Sequence, residues 1–196
     1  MAFIETISEE RADGATAALY AAERERVGAL PNYVTAFGAA PEVYAAWRGL
    51  NGAIKASMDD RRYELVTLAA ARALRSSYCA LAHGKLLADG LLDAPTARTV
   101  LVEGAVDGLH PAEAAAMRLA EQVAGDAGRV TQADVDELRA LGLSDAEVVQ
   151  VVLAAAARCF FSKTLDALGV QADAAFQAMD AELREALTVG RPVETA

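Results

Sequence analysis

Apolar residues recur along most of this chain at three- and four-residue spacing, the period of a helix with one buried face. No run alternates with the two-residue period of a strand between turn residues. Punctuation cuts the pattern into roughly eight to ten helices. Leu30-Pro31-Asn32 and Ala40-Pro41-Glu42 each put a proline where a first helical turn accepts one. Asp59-Asp60 predicts the start of a helix running through Leu74; Ser76-Ser77 interrupts it, and a second helix continues to about Asp89-Gly90. His110-Pro111 opens a segment ending near Gly125, and Thr131 to Asp134 and Ser144 to Glu147 have the spacing of capping boxes. A last helix is expected over Gln171 to Leu187, with a loose tail from Gly190 onward.

The pattern predicts an all-α fold, a compact multi-helix bundle in one domain over residues 1–196. A faint internal repeat divides it. Leu68-Ala-Ala-Ala-Arg72 recurs as Ala154-Ala-Ala-Ala-Arg158, a register that puts Ser76 on Ser162 and Cys79 on Leu165. The two similar halves would then run to about residue 105 and over about 110–188, only the first keeping a reactive thiol.

Composition sharpens the picture in two ways. The 54% hydrophobic content is inflated by alanine, which favours helix and lets helices approach closely. A net charge of −10 with no compensating basic stripe argues against nucleic acid and against an anionic membrane surface. The N-terminal stretch lacks a basic start followed by a long apolar run, and the most apolar run, Val148 to Phe161, reads as a buried helix too short to span a bilayer. Cys79 and Cys159 are too few for a disulfide framework, and a cytoplasmic location is the expectation.

Chemistry concentrates between Glu64 and His83. Cys79 and His83 are four residues apart, one turn along one helix face, so an imidazole can reach the sulfur directly or through one water. Ser76 is placed to cap that helix, which would set Cys79 in its first turn. A helix N-terminus and a nearby histidine both favour thiolate, the reactive form. On a straight helix Glu64 would lie about 22 Å from Cys79. It joins the site only if the chain turns at Arg75-Ser76-Ser77, and there it would orient His83 and raise its basicity. Tyr78 lines the pocket or simply packs. Read from spacing alone, such a cysteine is more often a small buried hydrophobe and such a histidine a cap or packing group. Cys159, within an apolar helix, is expected in the core; His110 reads as a cap; Arg72 and Arg158 read as structural. No metal-ligand spacing, phosphate loop or dinucleotide fingerprint is present, so no cofactor is expected.

Glu64, eleven residues, Ser76-x-x-Cys79, three residues, then His83 resembles the signature of the alkyl hydroperoxidase D-like group within the carboxymuconolactone decarboxylase superfamily. That signature carries Cys-x-x-Cys; here Ser76 replaces the first cysteine. Leu30-Pro31-Asn32-Tyr33, Pro41-Glu42 with Trp47, the Asp59 to Glu64 helix start and Gly142 to Glu147 are similar to its peroxidase-related branch. The resemblance implies a homo-oligomer, trimeric or hexameric, that reduces hydrogen peroxide or small organic hydroperoxides. Cys79 would attack, His83 would assist as base and Glu64 would support it. Since Ser76 forms no disulfide, either an external thiol reduces the oxidised Cys79 or the peroxidase cycle has decayed, with Cys159 a distant candidate resolver. Two other readings stay open: a lyase or isomerase of the decarboxylase branch using His83 and Glu64, and a non-catalytic oligomer that senses oxidation.

Overall fold

The computed structural model describes residues 2–195. Among them all regular structure is helical. The α-helices are α1 (Gly14–Val27), α2 (Asn32–Ala36), α3 (Pro41–Ala56), α4 (Asp60–Ala73), α5 (Ser77–Leu86), α6 (Ala94–Ala97), α7 (Pro111–Asp126), α8 (Gln132–Ala140), α9 (Asp145–Ala167) and α10 (Ala181–Leu187). The expected starts hold. Asp59 caps α4 by accepting from the Arg62 N–H at 3.0 Å. His110, Thr131 and Ser144 each open their helix with a capping box.

The centre of the molecule is α4. Every residue from Tyr63 to Ala71 is buried, because α5, α7 and α9 all pack around it. Alanine makes that crowding possible. Ala69, Ala70 and Ala71 on α4 meet a helix that buries Ala112, Ala114, Ala115, Ala116, Ala120 and Ala124, so the backbones approach with little side chain between them. Leu65, Leu68, Leu119 and Leu165 fill the remaining space.

The turn on which the site depends follows directly. Arg75 takes the left-handed conformation (φ 56°), unusual for a residue with a side chain, and reverses the chain so that α5 runs back beside α4. The C-terminal tail holds this corner, contrary to the expectation of a loose end. Gly190 donates its N–H to Ser77 Oγ at 2.8 Å, and a Cβ there would stand 2.0 Å from the Arg75 carbonyl oxygen, so only glycine fits. Beyond it Val193 is buried, and the Glu194 N–H donates to the Ala172 carbonyl at 2.9 Å.

Two further expectations are corrected. The expected last helix is two pieces, a short turn at Ala174–Ala178 and α10, because Asp180 caps a fresh start. The second copy of the alanine repeat also behaves unlike the first. Where α4 breaks at Arg75, α9 runs on unbroken through Ser162 for 23 residues. By length and composition α9 could cross a bilayer, but 50% of its most apolar window is buried inside the protein.

Candidate functional site

The α4–α5 hairpin brings the distant glutamate to the histidine. His83 Nδ1 lies 2.5 Å from Glu64 Oε2, and Lys55 Nζ from α3 donates to Glu64 Oε1 at 2.9 Å. Glu64 and His83 are both buried. Burial, and then the nearby charge of Arg158, hold the His83 pKa below the ordinary imidazole value. Burial pushes the Glu64 carboxyl up, but its bonds to His83 and Lys55 outweigh that and leave it lowered. The pair therefore rests as a carboxylate and a neutral ring. With Nδ1–H given to Glu64, Nε2 is left as a proton acceptor.

Cys79 sits in the first turn of α5, 3% exposed. No direct hydrogen bond joins its sulfur to His83 among the described residues. Its donors come from α9 instead: Ser162 Oγ at 3.1 Å and Arg158 Nη1 at 3.6 Å. The other arm of Arg158 reaches the Tyr63 hydroxyl at 3.5 Å, and that hydroxyl donates to Asn51 Oδ1 at 2.8 Å. Burial is the largest influence on Arg158 and works against its charge; the Cys79 sulfur and the Tyr63 hydroxyl outweigh it and raise its pKa.

Cys79, His83 and Arg158 all face one cavity of about 490 Å³. Its walls are aromatic: Tyr33, Tyr44, Trp47 and Phe161, with Trp47 stacked on Phe161 at a centroid separation of 4.1 Å. Arg26, Arg48 and Lys55 also line it. Arg26 and Arg48 both pair with the fully buried Glu23, at 2.5 and 2.7 Å.

The remaining sequence candidates fall on either side of this site. Ser76 occupies the N-cap position of α5 and is fully buried, but its hydroxyl makes no cap bond and does not reach Cys79; it lies toward Asp166. Tyr78 lines the cavity and donates its hydroxyl to Asp173, while its ring packs on Tyr33 at 5.6 Å. Cys159 is half-buried at the edge of the core rather than within it, and both cysteines are free thiols. Arg72 is structural as expected: its guanidinium donates to the Val100 and Leu101 carbonyls at 2.7 and 2.6 Å.

Arg158, expected to be structural too, is instead a wall of the cavity and a neighbour of the thiol. One signal could have found it. On its own face of α9, three and four residues either side, stand Ala154, Ala155, Phe161 and Ser162, none of them an acid, so the charge of Arg158 calls for a partner elsewhere.

Residues 41–122 match the carboxymuconolactone decarboxylase family. This segment holds Glu64, Ser76, Cys79 and His83 but not Arg158 or Ser162. Several solved structures share the fold. A peroxidase-related protein from Ralstonia eutropha, described as an alkylhydroperoxidase core, is 19% identical over 96% of this chain and 100% of its own, with a TM-score of 0.72. A peroxidase-related protein from a Silicibacter species is 15% identical over 90% of this chain and 91% of its own, with a TM-score of 0.74. A debrominase, solved as a cysteine-to-alanine variant in complex with 2,3,4-tribromopyrrole, is 17% identical over 94% of this chain and 95% of its own, with a TM-score of 0.72. No curated protein matches the chain significantly by sequence. The segment that carries the glutamate, cysteine and histidine thus matches the carboxymuconolactone decarboxylase family, and nearly the whole chain shares the fold of the peroxidase-related and debrominase structures.

Proposed function

We propose that the protein is a thiol-dependent peroxidase in which Cys79 reduces hydrogen peroxide or a small organic hydroperoxide. The observation that carries this reading is the placement of three groups on one cavity: a sulfur with two donors, a guanidinium, and an imidazole locked by a carboxylate. His83 Nε2 takes the thiol proton across the cavity, with Glu64 supporting the imidazolium that forms. The sulfur attacks the outer peroxide oxygen, the O–O bond breaks, and the departing alkoxide or hydroxide takes the proton back from His83. Arg158 and Ser162 stabilise negative charge on the sulfur before attack. The products are Cys79 sulfenic acid and an alcohol or water.

Resolution needs a thiol from outside, because Ser76 stands where a partner cysteine would. A small-molecule thiol would condense with the sulfenic acid, releasing water, and a second would free Cys79 from the mixed disulfide. An assembly of identical subunits accompanies this reading; its support is the apolar surface left by Val43 and Leu50 on α3 and by Val149, Leu153 and Phe160 on α9.

A second reading gains from Arg158. Acid–base chemistry by His83 and Glu64 on a small carboxylate would need a cation in the cavity, and Arg158 is there. The two separate cleanly in a Cys79→Ser variant. Peroxide consumption in the presence of a small thiol should vanish with the sulfur on the first reading. Isomerase or lyase turnover of a lactone carboxylate surviving that substitution would favour the second.

A further inference from the structure

Arg158 is 3% exposed and has no carboxylate as a salt-bridge partner among the described residues. Among the described residues its guanidinium hydrogen-bonds only to the Cys79 sulfur and the Tyr63 hydroxyl, its Nε–H has no hydrogen-bond partner, and its face lies 5.6 Å from the Phe161 ring centroid. The other cations at the cavity are committed differently. Arg26 and Arg48 share Glu23, and Lys55 holds Glu64. Those three are each more than 40% exposed and have carboxylate partners, so Arg158 is the buried cation at this cavity without one, balanced only when Cys79 is a thiolate. An uncompensated buried charge is costly and is kept where a ligand completes it. The rest of the wall is aromatic, so the missing partner has a flat apolar body.

We infer that the cavity binds a small aromatic carboxylate, with Arg158 as the seat of its charge. Resting on the peroxidase reading, the corresponding aromatic peroxy acid is then a substrate. The Cys79 thiolate attacks the outer peroxy oxygen, an S–O bond forms, and the O–O bond breaks. Its electron pair leaves on the carboxylate, so sulfur is oxidised to sulfenic acid and the peroxy acid is reduced to the aromatic carboxylate. The negative charge begins on the sulfur and ends on the carboxylate, and Arg158 faces it at both ends. No proton has to be supplied to this leaving group, unlike an alkoxide.

Trp47, the only tryptophan, stacks on Phe161 in the cavity wall and reports occupancy without turnover. Its fluorescence would be followed while the reduced protein is titrated with benzoate and with benzamide, a neutral molecule of the same shape. A charge-assisted contact predicts saturable binding of benzoate about tenfold tighter than benzamide. Cys79→Ser should tighten benzoate further by freeing the guanidinium from the sulfur, and Arg158→Gln should abolish the preference while Arg158→Lys keeps part of it. The comparison of the two ligands on the unaltered protein needs no variant, so it stands even where Arg158→Gln fails to fold. Absence of saturation with benzoate, or equal affinity for benzamide, overturns the proposal. Sulfenic-acid formation with perbenzoic acid and with cumene hydroperoxide is measured separately. Benzoate preference with a Cys79 inert to both would retain the carboxylate seat and overturn the peroxy acid step together with the peroxidase reading. A Cys79 that reacts with both, in a protein blind to benzoate, would overturn the seat and leave the peroxidase reading standing.

Discussion

Replacing Glu64 with glutamine tests the proton-handling half of the site. The carboxylate holds His83 Nδ1 at 2.5 Å and fixes which ring nitrogen carries the proton. Glutamine keeps the volume but loses the charge, and its amide bonds either ring tautomer equally well, so Nε2 is no longer held as the acceptor. Groups that orient a histidine in this way are worth about 10- to 100-fold in function, or about 1.4 to 2.8 kcal/mol in the barrier. Folding should suffer less than the burial of Glu64 suggests. Lys55, the other partner, is 41% exposed and can turn to water, so the loss is one charge-assisted bond, about 1–3 kcal/mol. The assay is the rate of Cys79 oxidation by hydrogen peroxide in stopped flow, with thermal melts of both proteins alongside. A rate within twofold of the unaltered protein, in a folded Glu64→Gln variant, would refute the role given to Glu64.

Three further predictions concern the fold and the missing resolver. His83 has a lowered pKa, so on acidification the unfolded chain takes up a proton near 6.5 while the folded ring stays neutral, and stability falls as pH drops through that value toward the folded one. Glu64 is lowered too, so its contribution is present above 4.5 and is lost as pH falls through its folded value; denaturant melts should therefore weaken steadily below about pH 7, and His83→Gln should flatten the first part of that slope. Ser76→Cys in a Cys159→Ser background restores a cysteine one turn before Cys79, and peroxide should then yield an intramolecular disulfide, seen as the loss of two hydrogens by intact mass. Gly190→Ala forces a methyl group to within 2.0 Å of the Arg75 carbonyl, so the tail must lift from the α4–α5 corner and the protein should lose about 1–3 kcal/mol in a denaturant melt.

The parts of this protein readable in its sequence are the local ones. The α4 cap at Asp59, the break before Ser77 and the pairing of Glu64 with His83 all lie within one short stretch, where helix geometry and turn chemistry decide the outcome. Groups that reach the site across the fold were not readable in the same way. Arg158 meets Cys79 from 79 residues away and looks in the repeat like Arg72, which merely caps two carbonyls. Ser162 likewise donates to the Cys79 sulfur from 83 residues away, with no local signal to mark it. The tail appeared loose because its polar composition says nothing of the Arg75 carbonyl it must pass. Alanine-rich helices carry few distinguishing side chains, so their contacts emerge only with the packing of α4, α7 and α9.

The central claim is that Cys79 is an activated thiol served by His83. The direct test adds one equivalent of hydrogen peroxide to the reduced protein and follows Cys79 by sulfenic-acid trapping and intact mass, with Cys159→Ser and His83→Ala variants in parallel. Rapid oxidation confined to Cys79, unchanged without Cys159 and slowed by 10- to 100-fold or more without His83, is the predicted result. Oxidation no faster than that of an ordinary free thiol, or indifferent to His83, would contradict it.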